Sequence, residues 1–205
     1  MGHNQREYHK SYDVDAMILI IGISGASGAI YGIRLLQVLS DMKSIETHLI
    51  ISEAGKINIK CETDWKVQDV ESLADFTYNI NDIGSCLASG SFKTDGMIIA
   101  PCSIKTMSAL ANSYADNLLT RAGDVTLKER RKLVLLLRET PLHIGHLRNM
   151  EKLCEMEAII MPPVSAFYYK PRTIQDIIDH TIGKVLDTFD IEHNLFQRWQ
   201  GLPNE

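Results

Sequence analysis

The segment Gly22-Ile23-Ser24-Gly25-Ala26-Ser27-Gly28-Ala29, set directly behind the apolar run Met17 to Ile21, constrains this chain more than any other. A short apolar run, then small residues with three glycines, then the periodic positions Ile30, Ile33, Leu35, Leu36 and Leu39 read as strand, tight loop and helix. Such a loop turns backbone N–H groups and the positive end of a helix toward an anion, most often a phosphate. Ser24 and Ser27 add hydroxyls that a purely structural turn does not need.

The same alternation continues along the chain. Thr47 to Ile51, Gly96 to Ala100, Leu133 to Leu137 and Ala158 to Met161 read as further strands, so that Gly96 to Ala100, stopped by Pro101, is the third of the chain. Helices are expected over Ala54 to Cys61, Ser103 to Tyr114, Asn117 to Arg131, Leu147 to Glu157 and Thr173 to about Asp187, with an irregular region from Glu62 to Asp95. Short continuous apolar strands alternating with helices predict an α/β fold, a three-layer, doubly wound parallel sheet of Rossmann-like type. Ligands on such sheets sit at the carboxyl ends of the strands, which singles out the loops after Ile23, Ile51, Ala100, Leu137 and Met161.

Composition removes several classes of function. A chain of 205 residues with 45% hydrophobic content supports one sizeable core, so residues 16–205 are expected to form one domain. A net charge of -5 argues against a nucleic-acid partner. Cys61, Cys86, Cys102 and Cys154 are scattered without a C-x-x-C pair, which predicts neither a disulfide framework nor a zinc site and suits a cytoplasmic setting. No apolar stretch approaches the ~20 residues that cross a bilayer, so no membrane partner is expected. Residues 1–15 are polar and read as a disordered leader, native or appended.

The phosphate ligand is not a nicotinamide dinucleotide or a nucleoside triphosphate by motif. The glycines fall at 22, 25 and 28 rather than as G-x-G-x-x-G, although Glu53 after the second strand imitates a ribose-binding carboxylate, and no Gly-Lys-Ser/Thr follows. What remains is a hydroxyl-rich site of Ser27, Ser52, Ser103 and Thr106 on three loops. Ser103 also reads as an ordinary helix cap.

Taken in order, Gly22 to Ala29, Ile51-Ser52, Glu62-Thr63-Asp64, Gly96 to Thr106, Arg121 to Arg131, Leu137-Arg138-Glu139, Phe167-Tyr168 and Arg198-Trp199 resemble the flavin prenyltransferases, long called phenylacrylic or hydroxyarylic acid decarboxylases. The resemblance spans Met17 to Pro203 and implies transfer of a dimethylallyl group from dimethylallyl monophosphate to N5 and C6 of reduced FMN, without a metal. It further implies FMN contacts by Gly25, Ala26, Ser27, Ser52, Ser103, Ile104, Lys105, Thr106 and Arg138, and phosphate contacts by Arg121, Lys128, Tyr168 and Lys184. Glu139 exchanges a proton with phosphate on this reading, Glu62 has a part in handling the flavin proton, Ser27 and Tyr168 are also catalytic, and Trp199, with Phe167, forms a wall against the allyl cation. A homo-oligomer, a dodecamer with sites at subunit junctions, and a separate prenyl-FMN-dependent decarboxylase as partner are also implied.

Each residue has a plainer competitor. Lys128 closes a helix, where cations offset the dipole; Glu139 stands beside Arg138 as an ion pair; Glu62 caps the segment near Asp64; Trp199 packs at a subunit contact. Cys102 reads as a buried small residue rather than a nucleophile, and His143-Ile144-Gly145-His146 as a chance match to the adenylate-binding signature of class I aminoacyl-tRNA synthetases. Lys184 stands where many relatives have arginine, which keeps the charge and loses the fork, and Arg148 replaces a common acidic residue. The competing functions are an FMN-binding decarboxylase subunit without prenyl transfer and a flavoenzyme like phosphopantothenoylcysteine decarboxylase. The latter's catalytic His ahead of the third strand is missing from Thr77 to Asp95.

Overall fold

A computed structural model describes residues 16–201, so the expectation for residues 1–15 and the last residues of the chain lie outside it. Six parallel strands, β1 (Met17–Ile23), β2 (Ile45–Ile51), β3 (Phe76–Tyr78), β4 (Gly96–Cys102), β5 (Lys132–Leu137) and β6 (Ile159–Ile160), form one sheet in the order β3-β2-β1-β4-β5-β6. The order reverses between β1 and β4, the crevice where such sheets bind ligands.

Side-chain alternation along the strands builds a core on each face. Leu19, Ile21 and Ile23 of β1, Ile98 and Ala100 of β4 and Val134 and Leu136 of β5 point to one side. There they meet α1 (Ala29–Ser40), α2 (Glu53–Glu62), α3 (Val67–Glu71) and α7 (Ile174–Asp187). Ile20, Met97, Ile99, Leu133 and Leu135 point to the other, against α4 (Ile104–Ala111), α5 (Leu118–Lys128) and α6 (Ile144–Glu155). The doubly wound sheet expected from the strand pattern is therefore present. Fully burying one such leucine or isoleucine contributes roughly 1.5–3 kcal/mol. A side chain at Gly32 would put its Cβ 2.2 Å from the Ala100 carbonyl oxygen, so the missing side chain lets α1 lie close on the sheet.

Several expectations need correction. The irregular stretch from Glu62 to Asp95 contains α3 and β3; β3 is an edge strand of three residues whose Phe76 and Thr77 are exposed, so no apolar run announced it. The third expected strand does not stop at Pro101 but continues to Cys102, with a register shift against β5 between Ile99 and Cys102 around Pro101, which has no N–H to give the ladder. Helix α4 ends at Ala111 rather than Tyr114, where Ser113 takes a left-handed φ of 51°. Helix α6 begins three residues early because His143 caps it, its Nδ1 accepting the Gly145 N–H at 3.0 Å.

Candidate functional site

Three loops at the carboxyl ends of β1, β2 and β4 are tied into one rim. Ser24, 1% exposed, donates from Oγ to the Pro101 carbonyl at 2.8 Å and accepts the Ser103 N–H at 2.8 Å. The Ser52 N–H donates to the Ile23 carbonyl, and its Oγ accepts the Gly55 N–H at 3.0 Å to start α2. Asn58 reaches back from α2 to the Ala26 carbonyl at 2.8 Å. A Cβ on Gly25 would stand 2.4 Å from the Ala54 Cβ, so glycine is what allows the β1 loop to rest on α2. Gly25 and Ser27 are left exposed at the centre of this rim, and Ala26 is buried.

Ser103 caps α4, accepting the Thr106 N–H at 3.3 Å while its own Oγ donates to Thr106 Oγ1 at 3.1 Å. The first turn of a helix leaves N–H groups without internal acceptors, and in α4 these include Ile104 and Lys105. Helix α1 is different: the Glu62 carboxylate already accepts the N–H of Gly28 at 2.7 Å and of Ala29 at 3.3 Å. The anion expected at α1 is thus the chain's own side chain, and Glu62 caps this helix rather than the segment near Asp64. Its carboxylate thus sits at the residue that follows Ser27, although 34 residues of chain separate Glu62 from Gly28.

Arg138 and Glu139 follow β5 directly and are exposed; the Arg138 N–H holds the Cys102 carbonyl at 3.1 Å. Glu139 accepts the Thr140 N–H at 3.0 Å, and no ion pair with Arg138 forms. Cys102 is fully buried and desolvation pushes its thiol well above the usual range, which suits packing rather than attack.

The four expected phosphate residues are not brought together within the chain. Arg121 on α5 pairs with Asp124 at 2.7 Å and donates to the Ala88 carbonyl at 3.2 Å; Lys128 pairs with Glu129, against Gly90. Tyr168 and Lys184 belong to the opposite face. The Tyr168 hydroxyl lies 3.0 Å from His180 Nε2, and Lys184 pairs with Asp187 at 3.3 Å. Trp199 meets Tyr168 edge to face at 5.8 Å and is 59% exposed, and Phe167 is exposed too. The reason is topological: α5 packs on one side of the sheet and α7 on the other.

Desolvation lowers the His180 imidazole below its ordinary value, favouring the neutral ring. Asp187 is pulled down to about 2, chiefly by the hydrogen bond from Arg198. Sequence reasoning missed Asn58, His180 and Asp187 as organisers, and Ser24, singled out for a hydroxyl beyond the needs of a turn, uses it structurally to join two loops. Helical spacing could have found Asp187, three residues beyond Lys184, and Asp124, three beyond Arg121; the contacts of Ser24 and Asn58 span loops and have no local signature.

Residues 7–199 match the family model described as Flavoprotein. The chain is 58% identical over 185 residues to the flavin prenyltransferase UbiX of Salmonella typhimurium, covering 89% of this chain and 98% of that one. Among solved structures, AnUbiX (PadA1), determined with FMN and dimethylallyl pyrophosphate, superposes with a TM-score of 0.90 at 45% identity, covering 92% of this chain and all of that one. A dodecameric FMN-dependent UbiX-like decarboxylase from Escherichia coli O157:H7 superposes with a TM-score of 0.89 at 49% identity, over 90% of this chain and all of that one.

Proposed function

This chain belongs to the flavin prenyltransferases of the flavoprotein family, and from that premise we propose that it moves a dimethylallyl group from dimethylallyl monophosphate to N5 and C6 of reduced FMN. The observation that carries the reading is the hydroxyl-lined rim at the sheet's switch point, where Gly25 and Ser27 are left exposed. Residues 16–205 act as one FMN-binding unit.

Because Glu62 occupies the N-terminus of α1, the FMN phosphate goes to the other donors of the rim. These are the hydroxyls of Ser52 and Thr106, the latter oriented by Ser103, and the N–H groups of Ile104 and Lys105 at α4, with Arg138 supplying charge. Gly25, Ala26 and Ser27 line the ring system. Reduced FMN supplies the nucleophilic N5 and C6. Glu62, held by the N–H groups of Gly28 and Ala29, takes the proton that N5 gives up.

When the allylic C–O bond breaks, the phosphate leaves with the electron pair, so cations must meet it and water must be kept out. Arg121, Lys128 and Lys184 supply the charge, Tyr168 a hydrogen bond, and Glu139 exchanges the phosphate proton. For Tyr168 to donate to phosphate, His180 must carry its own proton on Nε2 and donate to the phenol oxygen, which a neutral ring can do. Trp199 and Phe167 shield the allyl cation. Since α5 and α7 lie on opposite faces of the sheet, one phosphate site takes its two groups of cations from two copies of the chain. The dodecameric assembly of a relative supports that arrangement.

Free cysteines and the lack, among the described residues, of any helix able to span a bilayer support a cytoplasmic location. The product is passed to a separate prenyl-FMN-dependent decarboxylase. The test is mass spectrometry of flavin extracted after anaerobic incubation with reduced FMN and dimethylallyl monophosphate. A flavin heavier by one C5 unit is expected, and unmodified FMN in every preparation overturns the proposal.

A further inference from the structure

After α7 the chain turns at Asp190, which has a φ of 57°, and runs back along the same helix, so that Trp199 finishes beside Tyr168. This returning strap is held at identifiable points. Arg198 grips Asp187 through both terminal nitrogens, Nη2 to Oδ1 at 2.6 Å and Nη1 to Oδ2 at 3.2 Å. His193, with 1% of its side chain exposed, accepts the Leu195 N–H at Nδ1, which leaves its proton on Nε2 for Asp187 Oδ1 at 3.2 Å. A Cβ at Gly183 would stand 2.5 Å from Phe196 and 2.6 Å from His193, so a side chain there would push the strap off the helix. Phe196 packs 4.6 Å from His180, the partner of Tyr168.

We infer that Asp187 and Gly183 form a latch that seats the strap, and that Asp187 is a positioning residue for prenyl transfer. The carboxylate that orients Arg198 fixes the next residue, Trp199, and the same carboxylate holds Lys184 at 3.3 Å. One group therefore sets both a phosphate cation and the aromatic wall. Exposed ion pairs contribute little stability by themselves, but small displacements of groups around a reacting centre cost large factors in rate. The inference rests on the proposed roles of Lys184 and Trp199.

The experiment compares Asp187→Asn, Asp187→Glu and Gly183→Ala in the full chain carrying Trp65→Phe, which leaves Trp199 as the only tryptophan. Iodide quenching of Trp199, FMN affinity and steady-state prenyl transfer are measured, with circular dichroism to confirm folding. Asp187→Asn is expected to change the quenching, lower kcat about tenfold and raise KM for dimethylallyl monophosphate severalfold, with FMN affinity unchanged. Asp187→Glu restores part of each, and Gly183→Ala changes the quenching with Asp187 intact. Wild-type quenching and kcat in Asp187→Asn overturn the inference, as does a loss of FMN affinity matching the loss of rate, or an unfolded Asp187→Glu. If the unmutated chain forms no C5 adduct, the functional reading fails, while the quenching still reports on the latch.

Discussion

The rim above β1, β2 and β4 and the cations of α5 and α7 use similar polar side chains, yet only the rim is closed within one chain. Ser24 bridges two loops with a donor and an acceptor both satisfied, and Ser52 and Ser103 each cap the helix they precede. The cations are instead held by carboxylates nearby in sequence, Arg121 by Asp124, Lys128 by Glu129 and Lys184 by Asp187, on two faces that the sheet keeps apart. The rim is thus a property of the fold. The cations are not gathered by the fold of one chain, and the proposed phosphate site needs a second copy to bring them together.

The comparison breaks most visibly by mixing. Glu139→Gln, in the loop after β5, is expected to slow turnover by a factor of about 10²–10⁴ with FMN affinity kept; unchanged turnover removes its assigned proton exchange. Lys128→Ala and Tyr168→Phe each should cost about a hundredfold in rate alone. Refolded together from an equal mixture, they should recover roughly a quarter of wild-type activity, the share of sites receiving both intact groups when two copies contribute. A mixture as inactive as its parents would place both groups in one copy. A smaller effect tests the rim: Ser24→Ala leaves the Ser103 N–H without its acceptor and should cost about 1–3 kcal/mol, read as a lower urea midpoint, with weaker FMN binding. An unchanged midpoint would show that the bridge between the loops contributes nothing. Smallest is Lys184→Arg, expected to lower KM for the allyl phosphate by a few-fold through the added fork, with kcat little changed.

Acid sharpens the contrast between the two ends. Asp187 binds its proton more weakly in the fold, at about 2, than the ~3.9 of an unfolded aspartate, so its contribution is complete above that unfolded value and is lost as the pH falls toward 2. Trp199 quenching should therefore be constant from pH 8 to about 5, and a transition within that range would show that another group governs the strap.

Much of the fold was legible because buried parallel strands leave continuous apolar runs, and β1, β2, β4 and β5 all carry one. β3 left none, being short and half open to solvent. Helix starts at Ser52, Ser103, Asn117 and Thr173 followed ordinary capping chemistry, whereas His143 is an unusual cap and hid the true start of α6. In the site, the rim serines could be named from their positions after strands, but not what each touches. Glu62 is the clearest case: its residue type suggested a cap, and only the packing of α2 beside α1 identified which helix.

Periodicity, small-residue loops and an ordered set of motifs were enough by themselves to indicate a doubly wound sheet and the family of the chain, because strand and helix periods and turn chemistry are written in residues near in sequence. Tertiary structure alone decided that α1 receives an internal carboxylate, that Asp187 also takes His193 and Arg198 beside its helical neighbour Lys184, and that the two groups of cations lie on opposite faces. Those outcomes follow from helix packing across a sheet, which places residues far apart in sequence side by side and separates others that share a charge.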